Sequence, residues 1–256
     1  MFTALTVSSS SAPGSTLPWL LASFIAAGLV KGVTGMGLPT VAMGLLGSVM
    51  GAPAAAALLL VPSAVTNLWQ LFAGPALRPL LRRLGTLVLG ICVGTVAGSA
   101  WLVQVDARWS SLALGTALVV YAGYSMLAPP LTVPPRWEAW LSPLVGLLTG
   151  VITGVTGVFV MPAVPYLQAL RLDKEALVQA LGLSFTVSTA ALAAGLATHD
   201  ALQPAQLTLS TLAVAPALLG MWLGQRLRHR ISPRAFLVCF RVFLLLLGLS
   251  MVWRVV

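Results

Sequence analysis

The chain has 256 residues, of which 59 % are hydrophobic and 7 % are charged, and its formal net charge is +9. Because a soluble domain carries about a quarter charged residues, this composition excludes a soluble protein and predicts helices that span a bilayer. Continuous apolar runs such as residues 54–61 and 242–249 exclude the alternating pattern of a transmembrane β-barrel. The arginines form short clusters between apolar runs, which indicates cytoplasmic loops and not a nucleic-acid-binding surface.

The predicted segments divide the chain into two related halves. A Ser-rich tail, residues 1–16, lacks the basic start of a signal peptide and is expected to remain uncleaved. The first transmembrane repeat is residues 17–128, a Pro-rich linker follows at 129–136, and the second repeat is residues 137–256. The eight hydrophobic segments, in chain order, are residues 17–31 with 38–50, 54–73, 84–103, 110–127, 141–153 with 158–170, 176–198, 207–227 and 235–253.

The first segment of each half is predicted to be broken at a glycine-rich stretch. Residues 28–35 read G-L-V-K-G-V-T-G, and residues 150–157 read G-V-I-T-G-V-T-G. Glycine and proline disfavour a helix interior, so we expect breaks at residues 32–37 and 154–157. Positions matched farther along the two halves are Gly94 with Gly220 and Gly98 with Gly224. The ordered matches indicate an old duplication.

Two topologies are compatible with these segments. If each broken segment crosses the membrane once, the halves run parallel and the basic residues divide almost evenly between the two sides. If each broken segment enters and returns on one side, because its pieces are shorter than the ~20 residues of a span, the halves are inverted. One side then carries Arg78, Arg82, Arg83, Arg136, Arg171, Lys174, Arg226, Arg228, Arg230 and Arg234. Only Arg108 and Arg254 face the other side, which fits the positive-inside rule. We therefore favour an all-α integral membrane protein built from inverted repeats, as in secondary transporters.

The two breaks are the predicted substrate site. Helix ends inside a membrane leave backbone N–H groups that bind anions, and Lys31 adds a positive charge whose counterpart in the second half is Thr153. The predicted substrate-binding residues are Lys31, Gly32, Thr34, Gly35, Gly37, Pro39, Asn67, Gly154, Thr156, Gly157, Pro162, Ser184 and Ser188. The alternatives are that the glycines only pack helices and that Lys31 snorkels to the interface. Arg241, inside the last segment, either snorkels or lines a path.

The absence of membrane-embedded carboxylates argues for an anion and against a cation. Each acidic residue falls in a predicted loop: Asp106, Glu138, Asp173, Glu175 and Asp200. A cation pathway or a carboxylate proton relay places acidic groups within the membrane. The sequence has no metal-ligand spacing, phosphate-binding loop or nucleophile triad, so no cofactor and no enzymatic activity are predicted. Cys92 and Cys239 are interpreted as buried hydrophobic residues, with a role in handling a sulfur-containing substrate as the alternative.

With its paired G-x-x-x-G-V-T-G stretches followed by Pro39 and Pro162, the sequence resembles the sulfite exporter TauE/SafE family of bacterial membrane permeases. The resemblance covers nearly the whole chain, although residues 157–159 lack the glycine run that members often carry. It implies transport of sulfite, sulfonates or related small anions across the bacterial inner membrane, and we expect alternating access at the two breaks. The alternatives are a transporter of another small organic anion or of a cation, a membrane-embedded enzyme, and a non-transporting membrane scaffold.

Overall fold

The computed structural model describes residues 13–127, 131–228, 230 and 232–255, and in these residues it contains helices and loops but no strand. The helices are α1 Pro13–Thr34, α2 Leu38–Met50, α3 Ala52–Phe72, α4 Leu77–Arg83, α5 Gly85–Gln104, α6 Ala107–Leu127, α7 Pro135–Thr156, α8 Ala163–Ala169, α9 Lys174–Thr198, α10 Pro204–Leu212, α11 Val214–Leu227 and α12 Pro233–Trp253. Within the described ranges, eight stretches are long and apolar enough to cross a membrane, with α10 and α11 counted as one. The predicted all-α integral membrane protein is confirmed.

Proline, glycine and one aspartate set several helix limits. Pro39 and Pro53 lie in the first turns of α2 and α3. Backbone N–H groups there have no acceptor within the helix, so proline, which lacks this N–H, loses no hydrogen bond. Gly51 separates these two helices at φ +85° and ψ 157°, a conformation that glycine adopts without strain because it has no Cβ. The Asp173 carboxylate accepts a hydrogen bond of 2.8 Å from the N–H of Ala176 and so caps α9.

The helices α1 and α7 are longer than the sequence pattern predicts. Each has 22 residues, so the expectation that both pieces of a broken segment are shorter than a span is wrong for the first piece. Gly32 and Gly154 lie inside these helices, because the bilayer offers no water to compete for their hydrogen bonds and neighbouring helices pack against them. The second pieces, α2 with 13 residues and α8 with 7, are too short to cross ~30 Å of hydrocarbon.

Other boundaries differ from the predicted ones for local reasons. The predicted segment 207–227 is interrupted at Ala213, because Pro216 has no N–H to donate to the carbonyl of Leu212. Residues 13–16 of the predicted tail are helical, and Glu138 lies in the first turn of α7 and not in a loop. Residues 128–130 of the predicted linker region lie outside the described residues, and residues 131–134 have no regular secondary structure.

The main helix pairs join the first half of the chain to the second. The helix α1 packs on α11, α5 on α7, α3 on α9 and α6 on α12. The first two pairs are very close: a Cβ added at Gly154 of α7 would lie 2.5 Å from the carbonyl oxygen of Thr95 in α5. At Gly32 of α1 it would lie 2.9 Å from the N of Gln225 in α11. Glycine is therefore required in both contacts, where the helix backbones touch.

Helix ends gather at what we name the basic end of the bundle. The C-terminal ends of α1, α6 and α11 and the N-terminal parts of α9 and α12 line one cavity there. Gly74, just after α3, lines a smaller cavity together with Lys174, the first residue of α9. Arg83, the last residue of α4, makes an ion pair of 2.6 Å with Glu138 at the start of α7. Thus α1 and α3 run towards the basic end, whereas α7 and α9 run away from it.

The opposite end is defined by two further cavities. Leu20 of α1, Met50 at the end of α2 and Ala54 of α3 line the first, so α2 returns the chain towards the start of α1. Arg108 at the start of α6 and Arg254 just after α12 line the second. The helix α2 therefore runs antiparallel to α1 and α3 between the two ends.

A proline inside α3 is compensated by a neighbouring helix. Pro62 cannot donate to the carbonyl of Leu58. Ser210 of α10 takes over this interaction, because its hydroxyl donates to the carbonyl of Leu58 at 2.7 Å and accepts from the N–H of Val61 at 3.1 Å. Both backbone groups are thus satisfied without water, as the membrane requires.

Candidate functional site

A cavity of about 690 Å³ opens at the basic end between α1, α6, α8, α9 and α12, and we name it the basic cavity. Its polar and charged lining residues are Thr34, Tyr121, Tyr124, Ser125, Gln168, Lys174, Arg228 and Arg241. Three of them are basic, and no acidic residue of the described chain lines the cavity. Apolar walls around charges of one sign concentrate counter-ions, so the cavity attracts small anions.

Of the three basic residues that line the cavity, Arg241 lies farthest from a helix end. It lies in α12, and its Nε is buried with no hydrogen-bond partner among the described residues. Lys174 and Arg228 lie at the ends of α9 and α11, where the cavity meets solvent. A buried guanidinium N–H without an acceptor costs free energy, which an anion in the cavity would recover.

The chain turns inside the basic cavity at the end of α1. Gly35 has φ +79°, and a Cβ added there would meet no atom within 4 Å. The hydroxyl of Thr34 is occupied by the turn itself: its oxygen lies 2.9 Å from the carbonyl of Val30 and 2.7 Å from that of Met36. The hydroxyl also accepts from the N–H of Met36 at 3.2 Å. Gly35 is thus open to the cavity, whereas Thr34 fixes the turn.

Next to this turn, further inside the bundle, is a polar cluster formed by Lys31, Thr66, Asn67 and Thr189. Lys31 is one helical turn before Gly35 and only 3 % exposed. Its Nζ donates to Thr66 Oγ1 at 3.1 Å and to Asn67 Oδ1, and Asn67 Nδ2 donates to Thr189 Oγ1 at 3.2 Å. Lys31 therefore does not snorkel to the interface, because its Nζ is hydrogen-bonded to α3 in the interior of the bundle.

The helix α9 contributes residues both to the basic cavity and to the polar cluster. Leu177 and Leu181 line the cavity, and Ser184 and Ser188 continue the same face at helical spacing. Both serines are buried, and their hydroxyls have no partner among the described residues. Unpaired buried hydroxyls are uncommon, and these two are available to a ligand that moves inward from the cavity.

The family model of the sulfite exporter TauE/SafE matches residues 20–251. The chain belongs to the TauE/SafE family. The resemblance noted from its paired glycine motifs is confirmed, and this TauE/SafE chain is a multi-pass membrane transporter. Searches of curated proteins and of solved structures found no match.

The structure of this TauE/SafE transporter brings together only some of the predicted site residues. Lys31 and Asn67 are hydrogen-bonded, Thr34 and Gly35 line the basic cavity above them, and Ser184 and Ser188 lie along α9 between residues of the cavity and of the cluster. Gly32 and Gly154 instead lie in helix contacts. Their missing side chains are accounted for by packing.

The remaining predicted residues mark helix limits. Gly37 and Pro39 begin α2, and Pro162 precedes α8. At the end of α7 the Thr156 hydroxyl donates to the carbonyl of Ile152 at 2.6 Å. Gly157 has φ +71° and packs against Met43 of α2, away from the basic cavity. The second motif therefore closes a helix in the same way as the first without lining this cavity.

The sequence prediction missed several cavity residues of the TauE/SafE transporter. Lys174 and Arg228 were interpreted as loop charges, and Tyr124 and Gln168 carry no recognisable pattern. Arg241 gave a usable signal, because a charge inside an apolar segment is costly unless it faces a cavity. The other residues are brought together only by helices far apart in sequence.

Proposed function

We propose that this TauE/SafE transporter is a permease for small sulfur oxyanions, either sulfite or organosulfonates, in the bacterial inner membrane. The observation that carries the proposal is the basic cavity with Lys174, Arg228 and Arg241 in its wall and no acidic lining residue among those described. An oxyanion is attracted into the cavity by these charges. It then passes Gly35 and reaches the ammonium group of Lys31.

Along the proposed substrate path, the cationic side chains of the cavity are followed by neutral hydrogen-bond donors. Sulfur oxyanions present several oxygen acceptors, which suit guanidinium, ammonium and hydroxyl donors. The hydroxyls of Ser184 and Ser188 have no other partner among the described residues. Along α9 both serines lie between Leu181, which lines the cavity, and Thr189 of the cluster. A cation would meet repulsion at the entrance and would find no carboxylate among the described residues of this path.

We further propose that the two halves are inverted repeats related by a pseudo-two-fold axis. Support comes from the reciprocal pairs α1 with α11 and α7 with α5, in which the first helix of each half packs on the third segment of the other. The opposite directions of α1 and α7 agree with this relation. Asn67 and Thr189 are hydrogen-bonded and are 122 residues apart, the same separation as Gly28 and Gly150. The axis then passes near this hydrogen bond, at the polar cluster.

Under this symmetry the two breaks are equivalent, but they differ in access. A Cβ at Gly35 meets no atom within 4 Å, whereas a Cβ at Gly157 would lie 2.8 Å from the Cε of Met43. Met43 and Leu46 of α2 are fully buried. The path is therefore open at the basic end and closed by α2 at the other. The alternating access that we propose is the exchange between this arrangement and one in which the path is closed at the basic end and open at the other.

Uptake into proteoliposomes tests the proposal. We expect wild-type protein to take up radiolabelled sulfite or sulfoacetate above empty liposomes. Lys31→Gln and Arg241→Gln each remove a charged donor worth about 1.5–3 kcal/mol, so uptake should fall by about 10- to 100-fold. The matched control is Arg226→Gln, because Arg226 belongs to the same basic end but stacks on the Trp222 ring at 4.0 Å and does not line the cavity.

Two results would contradict the proposal. The first is equal loss of uptake in the Arg226 control, which would indicate a general effect of surface charge. The second is the absence of wild-type uptake of both anions by protein whose insertion is verified by protease protection. Thermal unfolding in detergent must show that the variants remain folded, so that lost uptake reports on the site.

A further inference from the structure

We infer that Lys31 is a proton-binding site of this protein, and that each anion crosses the membrane together with one proton carried on the Lys31 Nζ. The inference rests on the proposed anion transport and adds its coupling ion. It follows from the donor and acceptor count around Lys31, from the absence of a counter-charge, and from the position of the group beneath the basic cavity.

The surroundings of Lys31 match a neutral amine better than an ammonium. A neutral amine has two N–H donors, and the structure offers two acceptors, Thr66 Oγ1 and Asn67 Oδ1. The hydroxyl of Thr66 itself donates to the carbonyl of Pro62 at 2.8 Å, so its lone pairs face Lys31. An ammonium has a third N–H, for which the described residues provide no acceptor. That third donor is available to an anion.

No acidic group in the described part of the chain balances a charge on Lys31. Its neighbouring helices present neutral groups to it: α3 presents Thr66 and Asn67, and α9 presents Thr189 beyond them. The charged and titratable groups on the helices near α1 are Lys174 and Glu175 on α9, Arg226 and Arg228 at the end of α11, Arg234, Cys239 and Arg241 on α12, and Arg108, Tyr121 and Tyr124 on α6. Glu175 is exposed and lines a separate cavity with Gln70. Among the described residues, Lys31 makes no ion pair with a carboxylate.

The lack of a counter-charge couples protonation of Lys31 to binding of the anion. An ammonium buried without a counter-charge costs several kcal/mol, so the empty transporter returns more readily with Lys31 neutral. An oxyanion that arrives beside Lys31 supplies the missing charge and accepts the third N–H. Anion binding and protonation therefore favour each other, and this reciprocity is the coupling.

The proton has a defined source and destination. A hydronium ion that enters from the basic cavity gives a proton to the lone pair of Lys31 Nζ, so that one O–H bond breaks, one N–H bond forms and water remains. When the site opens to the opposite end, the anion leaves, that N–H bond breaks and the proton returns to water. For an anion with one negative charge, the cycle moves no net charge, and the gradients of anion and proton together set the direction.

The test measures how many protons move with each anion. Proteoliposomes that contain an entrapped pH dye receive radiolabelled sulfite or sulfoacetate, and proton and anion uptake are recorded together. Arginine keeps its proton at any accessible pH, so Lys31→Arg retains the charge but cannot carry a proton through the cycle. We expect the proton-to-anion ratio to fall by about one in Lys31→Arg relative to wild type. Protons bound by the anion itself cancel in this comparison. Arg226→Lys, the reverse exchange at a residue of the basic end that does not line the basic cavity, is the control with an unchanged ratio.

A second measurement on wild-type protein covers the case in which Lys31→Arg does not fold or does not transport. With the membrane potential clamped, an acidic exterior should drive anion accumulation above equilibrium, by up to about tenfold for each pH unit. Equal ratios in wild type and Lys31→Arg, or accumulation that ignores the pH gradient, would overturn the inference and leave anion transport standing. Failure of wild-type protein to take up either anion would instead overturn the proposed function.

Discussion

Two glycines three residues apart, Gly32 inside α1 and Gly35 just after it, should respond differently to alanine. Gly32 and Gly35 belong to the same sequence motif, and both were predicted to contact substrate. The structure gives them different surroundings, because Gly32 lies against the backbone of α11 and Gly35 faces the basic cavity. Gly32→Ala should therefore destabilise the fold, whereas Gly35→Ala should mainly impair transport.

The magnitudes follow from the space at each glycine. A Cβ at Gly32 would lie 3.0 Å from the Cα of Gly224 and 2.9 Å from the N of Gln225, and it would clash with the carbonyl oxygen of Met221. These are backbone atoms, so α11 must move away, at a cost of about 1–3 kcal/mol. At Gly35 no atom lies within 4 Å, and the cost is the strain of alanine at φ +79°, about 1–2 kcal/mol.

The assay compares unfolding with uptake in the same preparations. Gly51→Ala is the control for alanine at a positive-φ glycine away from the site, because Gly51 has φ +85° and open space but does not line the basic cavity. Unfolding in SDS should show the larger loss for Gly32→Ala. Uptake of sulfite or sulfoacetate per folded molecule should fall for Gly35→Ala and stay near wild type for Gly51→Ala. Wild-type stability of Gly32→Ala would refute the helix contact, and equal uptake by the Gly35 and Gly51 variants would refute the path.

Three other substitutions test the fold and the closed end. Ser210→Ala should lower the free energy of unfolding by about 1–3 kcal/mol, since two backbone groups beside Pro62 lose their partner. The control Thr211→Ala, on the same helix, should change the free energy of unfolding little in the same SDS titration. Gln179→Leu should lower the free energy of unfolding by about 2–4 kcal/mol, because the Gln179 side chain is hydrogen-bonded to Leu71 O at 2.7 Å, Gly74 O at 2.6 Å and Ala76 N at 2.8 Å. Hydrogen exchange at the end of α3 should become faster in this variant. Unchanged exchange would contradict the capping role. Met43→Ala should open the closed end, so that a cysteine placed at Thr156 reacts faster with an impermeant thiol reagent from that side; equal rates with and without Met43 would contradict the gate.

Much of the fold could be predicted because the bilayer simplifies the problem. Long apolar runs must be helices there, since unpaired backbone groups have no water to bind. The limits of α3, α5 and α6 consequently lie within a few residues of the predicted segments. The prediction was wrong where glycine was treated as in water: Gly32 and Gly154 remain helical, because close packing against α11 and α5 offsets their low helix propensity.

The candidate site was only partly predictable. Lys31 and Arg241 were visible as charges within apolar segments, because such charges are rare unless they face a cavity or a partner. Asn67, Ser184 and Ser188 were recognisable as polar residues on paired helices. Lys174 and Arg228 could not be distinguished from other loop charges, since their place in the cavity wall depends on how α9 and α11 end beside α1.

The sequence by itself determined the membrane environment, the number of span-length segments, the paired motifs and the excess of basic groups, because these depend on composition and local pattern. The tertiary structure decided which glycines pack and which one borders open space. It also decided that Lys31 finds Thr66 and Asn67 as its partners. These outcomes depend on which helices become neighbours, and that follows from contacts between residues far apart along the chain.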